Sequence, residues 1–434
     1  MKKKAIATLL TLSMVIGLTV GCTGQSDTTD EGKNNNGKVT LNFAGWEASE
    51  LETKAVKEGI AKFEKENPDI KINYTTTPYD DHIAKIASAA AGGALPDVMF
   101  VPAASYRELV KKGTLLELTD KFDENLPLDD FTQSAQDVME IDGKVYGLTA
   151  CTVSPVIYYN KDIFDAANVE YPSADYENAW TPEELLETAK KLTSDDVYGL
   201  YNLDNENALN ASILSNGGTR FNDDQTESTV ETKEVKEVFE TVKSFMDAGV
   251  MPDSSILDST GMTATQLFQT GKVAMLMDGT WGMQELATTD LNWGVAPLPN
   301  YGKSLTHGAS HLHGIASTCK HPEEAWKFVK FLSGYEYQGE LCAKGLWLPN
   351  RHSMYTEEGL KKWYSEDVYP EGFSELLGYF ENAVVDPAAI QKTYQCTDIF
   401  NEEKDMYFKS GQDIDMTLKN IDERSNKAIK DASK

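Results

Sequence analysis

The first part of the fold follows from residues 39–101, VTLNFAGWEASELETKAVKEGIAKFEKENPDIKINYTTTPYDDHIAKIASAAAGGALPDVMFV. Apolar residues alternate with polar ones in some segments, which is typical of strands, and recur every three or four residues in others, which is typical of helices. The segments with strand or helix patterns are, in order, residues 39–43, 51–63, 70–74, 83–90 and 97–101. Strand, helix, strand, helix and strand with short links predict a parallel sheet with flanking helices.

Ligands of such a sheet bind beyond the carboxyl ends of its strands. In this sequence those ends are residues 45–47, 77–79 and 102–105. We therefore expect a binding site at these three loops.

A second set of elements follows residue 147. It begins with the apolar run 153–159, and Thr181 then opens a helix with a capping box and proline at its first position. A helix over residues 235–245 is expected to end at Gly249. The remaining predicted elements are a short strand at residues 273–277, a GTWG turn at 279–282 and a closing amphipathic helix at 414–429.

Length and charge narrow the possible functions. The chain has 434 residues, enough for two lobes, and a formal net charge of -29. Such a charge repels polyphosphates and anionic lipid surfaces. Nucleic acid is therefore not an expected partner, and association with a membrane needs an anchor that does not depend on charge.

The first 22 residues have the features of such an anchor. Three lysines precede the uncharged residues 5–21, as in a secretory signal, and LTVGC at residues 18–22 resembles a bacterial lipobox. We expect residues 1–21 to be removed and Cys22 to be lipidated, with an uncleaved anchor or a plain secreted form as the alternatives. Residues 22–37 are predicted to be a flexible tether because they contain almost only small and polar residues.

Four further cysteines could pair in an exported protein, and we interpret them as free buried thiols. They are Cys151, Cys319, Cys342 and Cys396. Motifs of nucleophile elbows, phosphate loops, zinc proteases and dinucleotide folds do not occur in the sequence. The cluster His307, His311 and His313 is open to three interpretations, which are a structural role, contacts with a ligand and a metal site.

Three tryptophans stand beside glycine or proline turns, namely Trp46, Trp281 and Trp347. An indole at a loop end offers apolar area together with an N–H, which suits a pyranose ring. Core packing is the alternative role for each of them.

Several motifs together carry a family resemblance. They are Trp46, YYNKD at residues 158–162, GTW at 279–281, APLP at 296–299 and HPEEAW at 321–326. In their order and spacing, from residue 38 to residue 434, the chain resembles the family 1 extracellular solute-binding proteins of ABC importers, which include maltose- and multiple-sugar-binding proteins.

The resemblance implies an α/β fold of the type II periplasmic-binding-protein kind, with two discontinuous lobes joined by a hinge. Crossings between the lobes are expected near Thr152, Ser310 and Leu360. Lobe 1 would then comprise residues 38–152 and 311–360, and lobe 2 residues 153–310 and 361–434.

The resemblance also implies a ligand site between the lobes. Its expected residues are Trp46, Glu47, Ser105, Asn205, Asn207, Trp281, His311, Trp347 and Asp398, with Trp347 at the rim. Two departures from relatives argue against a maltose-like ligand. Ala104 and Ser105 stand where relatives have an aromatic and an acid, and Asp398 where relatives stack a tryptophan.

The expected function is therefore that of an extracellular, lipid-anchored, monomeric receptor that closes around a mono- or oligosaccharide and delivers it to the permease subunits of an ABC importer. This function needs no catalysis, cofactor or metal. A polyamine or cation receptor of the same fold is one alternative, motivated by Glu47 and Asp398. An extracellular glycoside hydrolase is another.

Overall fold

The computed structural model describes residues 37–308 and 310–433. The predicted signal peptide, Cys22 and all of the predicted tether except Gly37 lie outside these residues. The described strands are β1 (Val39–Trp46), β2 (Ile70–Thr77), β3 (Val98–Val101), β4 (Glu140–Ile141), β5 (Lys144–Val145), β6 (Gly147–Thr149), β7 (Pro155–Asn160), β8 (Met275–Gly279), β9 (Trp293–Ala296), β10 (His307–Gly308), β11 (Leu312–Ile315) and β12 (Val384–Val385).

The α-helices are named in the same way. They are α1 (Glu50–Glu66), α2 (Tyr79–Gly92), α3 (Ala103–Lys111), α4 (Gln133–Met139), α5 (Lys161–Ala167), α6 (Pro182–Leu192), α7 (Glu206–Ser215), α8 (Lys233–Asp247), α9 (Ser255–Thr260), α10 (Ala264–Gln269), α11 (Met283–Leu286), α12 (Pro322–Leu332), α13 (Tyr335–Cys342), α14 (His352–Tyr355), α15 (Glu357–Leu360), α16 (Leu377–Glu381), α17 (Gln395–Phe408) and α18 (Ile414–Ala432).

The first sheet has the strand order β2-β1-β3-β11-β6. Strand β1 pairs in parallel with β2 and β3, which confirms the parallel sheet predicted for residues 39–101. Strand β11 pairs antiparallel with β3 and β6, so two strands from distant parts of the chain extend this sheet. The carboxyl ends of β1, β2 and β3 lie at one edge of the sheet, as expected.

The second sheet has the order β8-β7-β9, and both pairs are antiparallel. All six residues of β7 are buried, because both faces of this strand are covered. Val156 and Tyr158 pack into a hydrophobic cluster that continues into the first sheet, whereas Ile157 and Tyr159 pack into a second cluster. Helices α6, α7, α8, α17 and α18 contribute to the second cluster.

Local signals determine several helix ends. Thr181 accepts from the backbone N–H of Glu184 at 3.2 Å, and the Glu184 carboxylate accepts from the Thr181 N–H at 2.8 Å, which confirms the predicted capping box. The helix predicted to end near Gly249 is α8, and Gly249 has a φ of 71°. The closing amphipathic helix is α18.

The chain passes from one sheet to the other at two of the predicted crossings, near Thr152 and near Ser310. Strand β6 before Thr152 lies in the first sheet, and β7 after it lies in the second. Likewise β9 lies in the second sheet and β11, after Ser310, in the first. The molecule is thus a two-lobed α/β protein, and its exact lobe boundaries, including the crossing near Leu360, stay a prediction. Below, the first lobe is the one that contains the five-stranded sheet.

The four cysteines that lie in the described residues are free thiols, and Cys319 is only half-buried, unlike the other three. None of the helices within residues 37–308 and 310–433 combines the length and apolar character that a membrane span needs.

Candidate ligand-binding cleft

An aromatic cluster lies at the carboxyl edge of the first sheet. The Trp46 ring, at the end of β1, packs edge-on against Phe100 at 5.1 Å and against His311 at 4.8 Å between ring centroids. His311 stacks on Phe100 at 4.0 Å and meets Trp347 at 5.8 Å. Three predicted site residues, Trp46, His311 and Trp347, therefore meet although they are far apart in the sequence.

His311 is neutral in this cluster. Burial lowers its pKa well below the ordinary value, and the neighbouring His313 and His82 add to the effect. Its Nδ1 lies 3.4 Å from the Ser310 hydroxyl, while Nε2 is buried without a hydrogen-bond partner in the described structure. Burial also lowers the pKa of His313 to about 3. Among the described residues no group of three or more His, Cys, Asp and Glu is placed to hold a metal ion.

Trp347 lies behind the cluster and not at an exposed rim. Its side chain is buried and packs against Tyr337 as well as His311, and its N–H partly offsets the rise that burial causes in the pKa of Glu52. The rim position expected for Trp347 is therefore wrong, because this tryptophan supports the aromatic cluster from inside the protein.

Trp281, in the turn after β8, is an exposed aromatic residue of the second lobe. The residue is 38% exposed, and its N–H partly offsets the rise that burial causes in the pKa of Asp278. A Cβ on Gly279 would lie 2.0 Å from the indole ring, so only glycine lets the ring fold over the backbone at this point. Asp278 also accepts from the Gly279 N–H at 2.8 Å and from Thr265 at 3.2 Å, and burial raises its pKa to about 6.

The amino end of α7 brings polar residues to the second lobe. Asn205 caps this helix by accepting from the Ala208 N–H at 3.1 Å, so its side-chain oxygen is engaged within the protein. The Asn207 side chain is half-buried, and its backbone carbonyl accepts from His307 Nε2 at 3.0 Å.

Glu206, which stands between these two asparagines in the chain, has the buried side chain of Arg220 as its partner. The Arg220 guanidinium forms an ion pair with Glu206 and lies 3.9 Å from the Phe400 ring centroid. The other oxygen of Glu206 accepts from Asn401 at 3.0 Å. The carboxylate is therefore fixed in one position beside the cleft.

Tyr79 extends from the first lobe toward this polar group. Its ring packs edge-on against Trp46 at 5.1 Å, and 44% of its side chain is exposed. Its pKa is raised by desolvation first, and by Tyr394, Glu206 and Asp80 after that. Because Tyr394 and Glu206 belong to the second lobe, Tyr79 faces that lobe directly.

Asp398 lies in α17 on the exposed side of the same group. Burial raises its pKa, and the negative charges of Glu402 and Glu206 raise it further. Tyr394 directly precedes this helix, and its pKa is raised to about 12 by desolvation first and by Asp398, Glu206 and Asp80 after that. Tyrosines and carboxylates of both lobes therefore face one another here.

The two remaining predicted residues are at the edges. Glu47 is exposed and accepts from the Thr76 hydroxyl at 2.7 Å, whereas Ser105 is half-buried in the first turn of α3. The structure thus collects Trp46, His311 and Trp347 in one cluster. It also brings Asp398 near Glu206, which Asn205 and Asn207 flank in the chain.

The individual site residues expected from the sequence do not include Tyr79, Tyr394 or the Glu206–Arg220 pair, although a binding site is expected at the loop 77–79. A signal for Tyr79 existed, since it directly follows Pro78 in the loop after β2, which had been identified as a carboxyl end. Arg220 gave no such signal, because an isolated arginine in a loop is ordinarily exposed.

The chain belongs to the family of bacterial extracellular solute-binding proteins, whose family model matches residues 58–368. It is 26% identical over 388 residues to the maltooligosaccharide ABC transporter solute-binding lipoprotein of Streptococcus pneumoniae serotype 4, which covers 83% of this chain and 82% of that protein. It is also 26% identical over 300 residues to the galactooligosaccharide-binding protein of Bacillus subtilis, covering 66% of this chain and 68% of that protein.

A solved structure shares the fold. An ABC substrate-binding protein from Listeria monocytogenes, in complex with cycloalternan, superposes with a TM-score of 0.79 at 28% identity. The match covers 90% of this chain and 99% of that one. The resemblance stated from the sequence motifs is confirmed.

Proposed function

We propose that this protein is a carbohydrate receptor that closes around a mono- or oligosaccharide and hands it to the membrane subunits of an ABC importer. The main support is the exposed ring of Trp281 on one lobe, together with Trp46 and Tyr79 at the carboxyl edge of the sheet in the other lobe. Aromatic faces beside carboxylate and amide oxygens suit the apolar faces and hydroxyl rims of sugars. The oligosaccharide-binding relatives named above support the same substrate class.

In this proposal, Trp46, Tyr79 and Trp281 stack on sugar rings. Hydroxyl groups bond to Glu47, Ser105, Asn205, Asn207 and Asp398, and to His311 where the ligand reaches it. Trp347 positions His311 from behind. The lobes comprise residues 38–152 with 311–360 and residues 153–310 with 361–434, and the monomeric receptor acts without catalysis.

A thermal-shift screen tests the substrate class, because a ligand that binds only the folded state raises the melting temperature. The panel contains maltotriose, galactotriose, cycloalternan, glucose and galactose, with spermidine and putrescine beside them. At least one sugar should raise Tm and remain without new reducing ends after prolonged incubation. A response to spermidine alone would contradict the carbohydrate proposal.

The polyamine alternative has one specific observation in its favour. The pKa of Asp398 is raised by burial and by the negative charges of Glu402 and Glu206, so unbalanced negative charge exists beside the cleft. Glu206, however, already has Arg220 as its counter-ion. Neutral sugar is therefore the better supported ligand.

The proposed location is the outer face of the cytoplasmic membrane, with lipid on Cys22. The pneumococcal relative is described as a lipoprotein, which supports this anchor. Labelling cells with a palmitate analogue should tag the wild-type protein, and Cys22→Ser should lose both the label and the membrane fraction. Retention of the label in Cys22→Ser would refute lipidation at this cysteine.

A further inference from the structure

A direct contact joins the two lobes beside the cleft. Ser49 precedes α1, which packs on β2 of the first sheet, and Gln284 lies in α11, next to Trp281 in the second lobe. The Ser49 hydroxyl donates to Oε1 of Gln284. The same hydroxyl oxygen accepts from the Glu52 N–H at 3.0 Å, so the cap of α1 is also the point of contact.

Glu52 completes this contact. Because Oε1 of Gln284 is an acceptor for Ser49, the Gln284 amide N–H is the group that is left to act on the Glu52 carboxyl, where it partly offsets the rise in pKa that burial causes. The Trp347 N–H acts on the pKa of Glu52 in the same direction. One of these N–H groups therefore belongs to the first lobe and the other to the second.

Glu52 is 5% exposed and has no cationic partner among the described residues. The titratable groups that face it are Tyr74 of β2, Tyr337 of α13 and Cys151, with Glu47 beyond Tyr74. Burial raises the pKa of all three facing groups, so they are neutral near pH 7 and supply no counter-charge. Desolvation raises the pKa of Glu52 itself to about 7.

Separation of the lobes would change this environment. Gln284 would move away with the second lobe, and water would reach the carboxyl. The charged form of Glu52 is then solvated, and its pKa returns toward the ordinary value of 4.5.

We propose that Ser49, Glu52 and Gln284 are positioning residues that hold the lobes together in the closed form, and that Glu52 takes up a proton when the lobes close. This inference rests on the proposed function, since it describes closure around the same ligand. It makes the affinity of a neutral sugar depend on pH although the sugar itself does not titrate.

The direction follows from linkage. The closed form binds the proton on Glu52 more tightly than the open form. Closure therefore becomes more favourable as the pH falls through about 7, the pKa of Glu52 in the closed form, and continues to do so until the pH reaches the ordinary pKa of 4.5. Between pH 8 and pH 6 the closing equilibrium should shift toward the closed form by about tenfold. Sugar affinity should rise by the same factor where closure is coupled to binding.

Calorimetry measures the proton directly. The panel sugar that raises Tm most is titrated into the protein at pH 7 in phosphate and in Tris, whose ionisation enthalpies differ. The wild type should take up about half a proton per sugar bound, and Glu52→Gln should take up none and bind with a Kd independent of pH. Glu285→Gln is the matched control, because it removes the neighbouring carboxyl outside the contact, and it should keep the uptake.

A wild type without proton uptake would overturn the proposal, and so would uptake that persists in Glu52→Gln. Should Glu52→Gln not fold, Gln284→Met serves instead. It removes a donor that favours the ionised carboxyl, so uptake at pH 7 should rise above half a proton. Unchanged uptake in Gln284→Met would contradict the contact.

Failure of the proposed function is distinguishable from failure of this contact. If no panel sugar binds, small-angle X-ray scattering of the sugar-free protein tests closure alone. The wild type should be more compact at pH 6 than at pH 8, and Glu52→Gln should have one radius of gyration at both. Equal radii in the wild type would overturn the coupling.

Discussion

Replacing Trp281 by alanine removes an exposed aromatic surface from the proposed cleft. A whole tryptophan side chain carries roughly 250 Å² of surface. With 38% of it exposed, about 95 Å² is available to a sugar ring. At about 25 cal/mol per Å² this area corresponds to about 2 kcal/mol of binding free energy, or a thirtyfold increase in Kd.

Calorimetry with the sugar chosen by the thermal-shift screen measures this loss. Tyr171→Ala is a matched control, because Tyr171 has a similar exposure of 41% but packs against Tyr159 and Phe164, away from the cleft residues. Trp281→Ala should weaken binding while Tyr171→Ala leaves Kd unchanged. If Trp281→Ala folded normally and bound with the wild-type Kd, the reasoning about this ring would be refuted.

Three further predictions concern the surroundings of the cleft. Gly279→Ala should displace the Trp281 ring that lies over it and weaken sugar binding about as much as Trp281→Ala, and wild-type affinity in calorimetry would argue against this packing. Arg220→Met should leave the Glu206 carboxylate without its buried partner and lower the free energy of unfolding by about 3–5 kcal/mol, as measured by urea unfolding, where a loss below about 1 kcal/mol would contradict it. The affinity for sugar should change by no more than about twofold between 50 and 500 mM NaCl, because salt screens interactions between charges and a neutral sugar carries none. A steep fall in affinity would favour a cationic ligand.

Much of the fold could be predicted from the sequence because the signals are local. The alternation in β1 and β2, the helical spacing in α1 and the capping box of α6 each depend on residues close in the chain. The antiparallel addition of β6 and β11 could not be predicted in this way. These strands have three and four residues, and their pairing depends on contacts between distant parts of the chain.

The cleft was predictable to a similar degree. Turn residues beside Trp46 and Trp281 favour rings that contact a ligand, and in the structure Trp281 is exposed while Trp46 is half-buried. Trp347 was expected at the rim, but its ring lies in the core. A nearby proline turn does not specify whether a side chain points into the protein or toward solvent. The sequence gives no local signal that Glu52 lies near the second lobe, because Glu52 stands in the first turn of α1 like an ordinary helix residue.

The central claim is that the two lobes close around a carbohydrate, and small-angle X-ray scattering with and without the bound sugar tests it most directly. Saturating the protein with the sugar selected by the screen should reduce its radius of gyration to that of the structure in which Ser49 reaches Gln284. Sugar binding that leaves the radius of gyration unchanged from a sugar-free, open form would contradict closure.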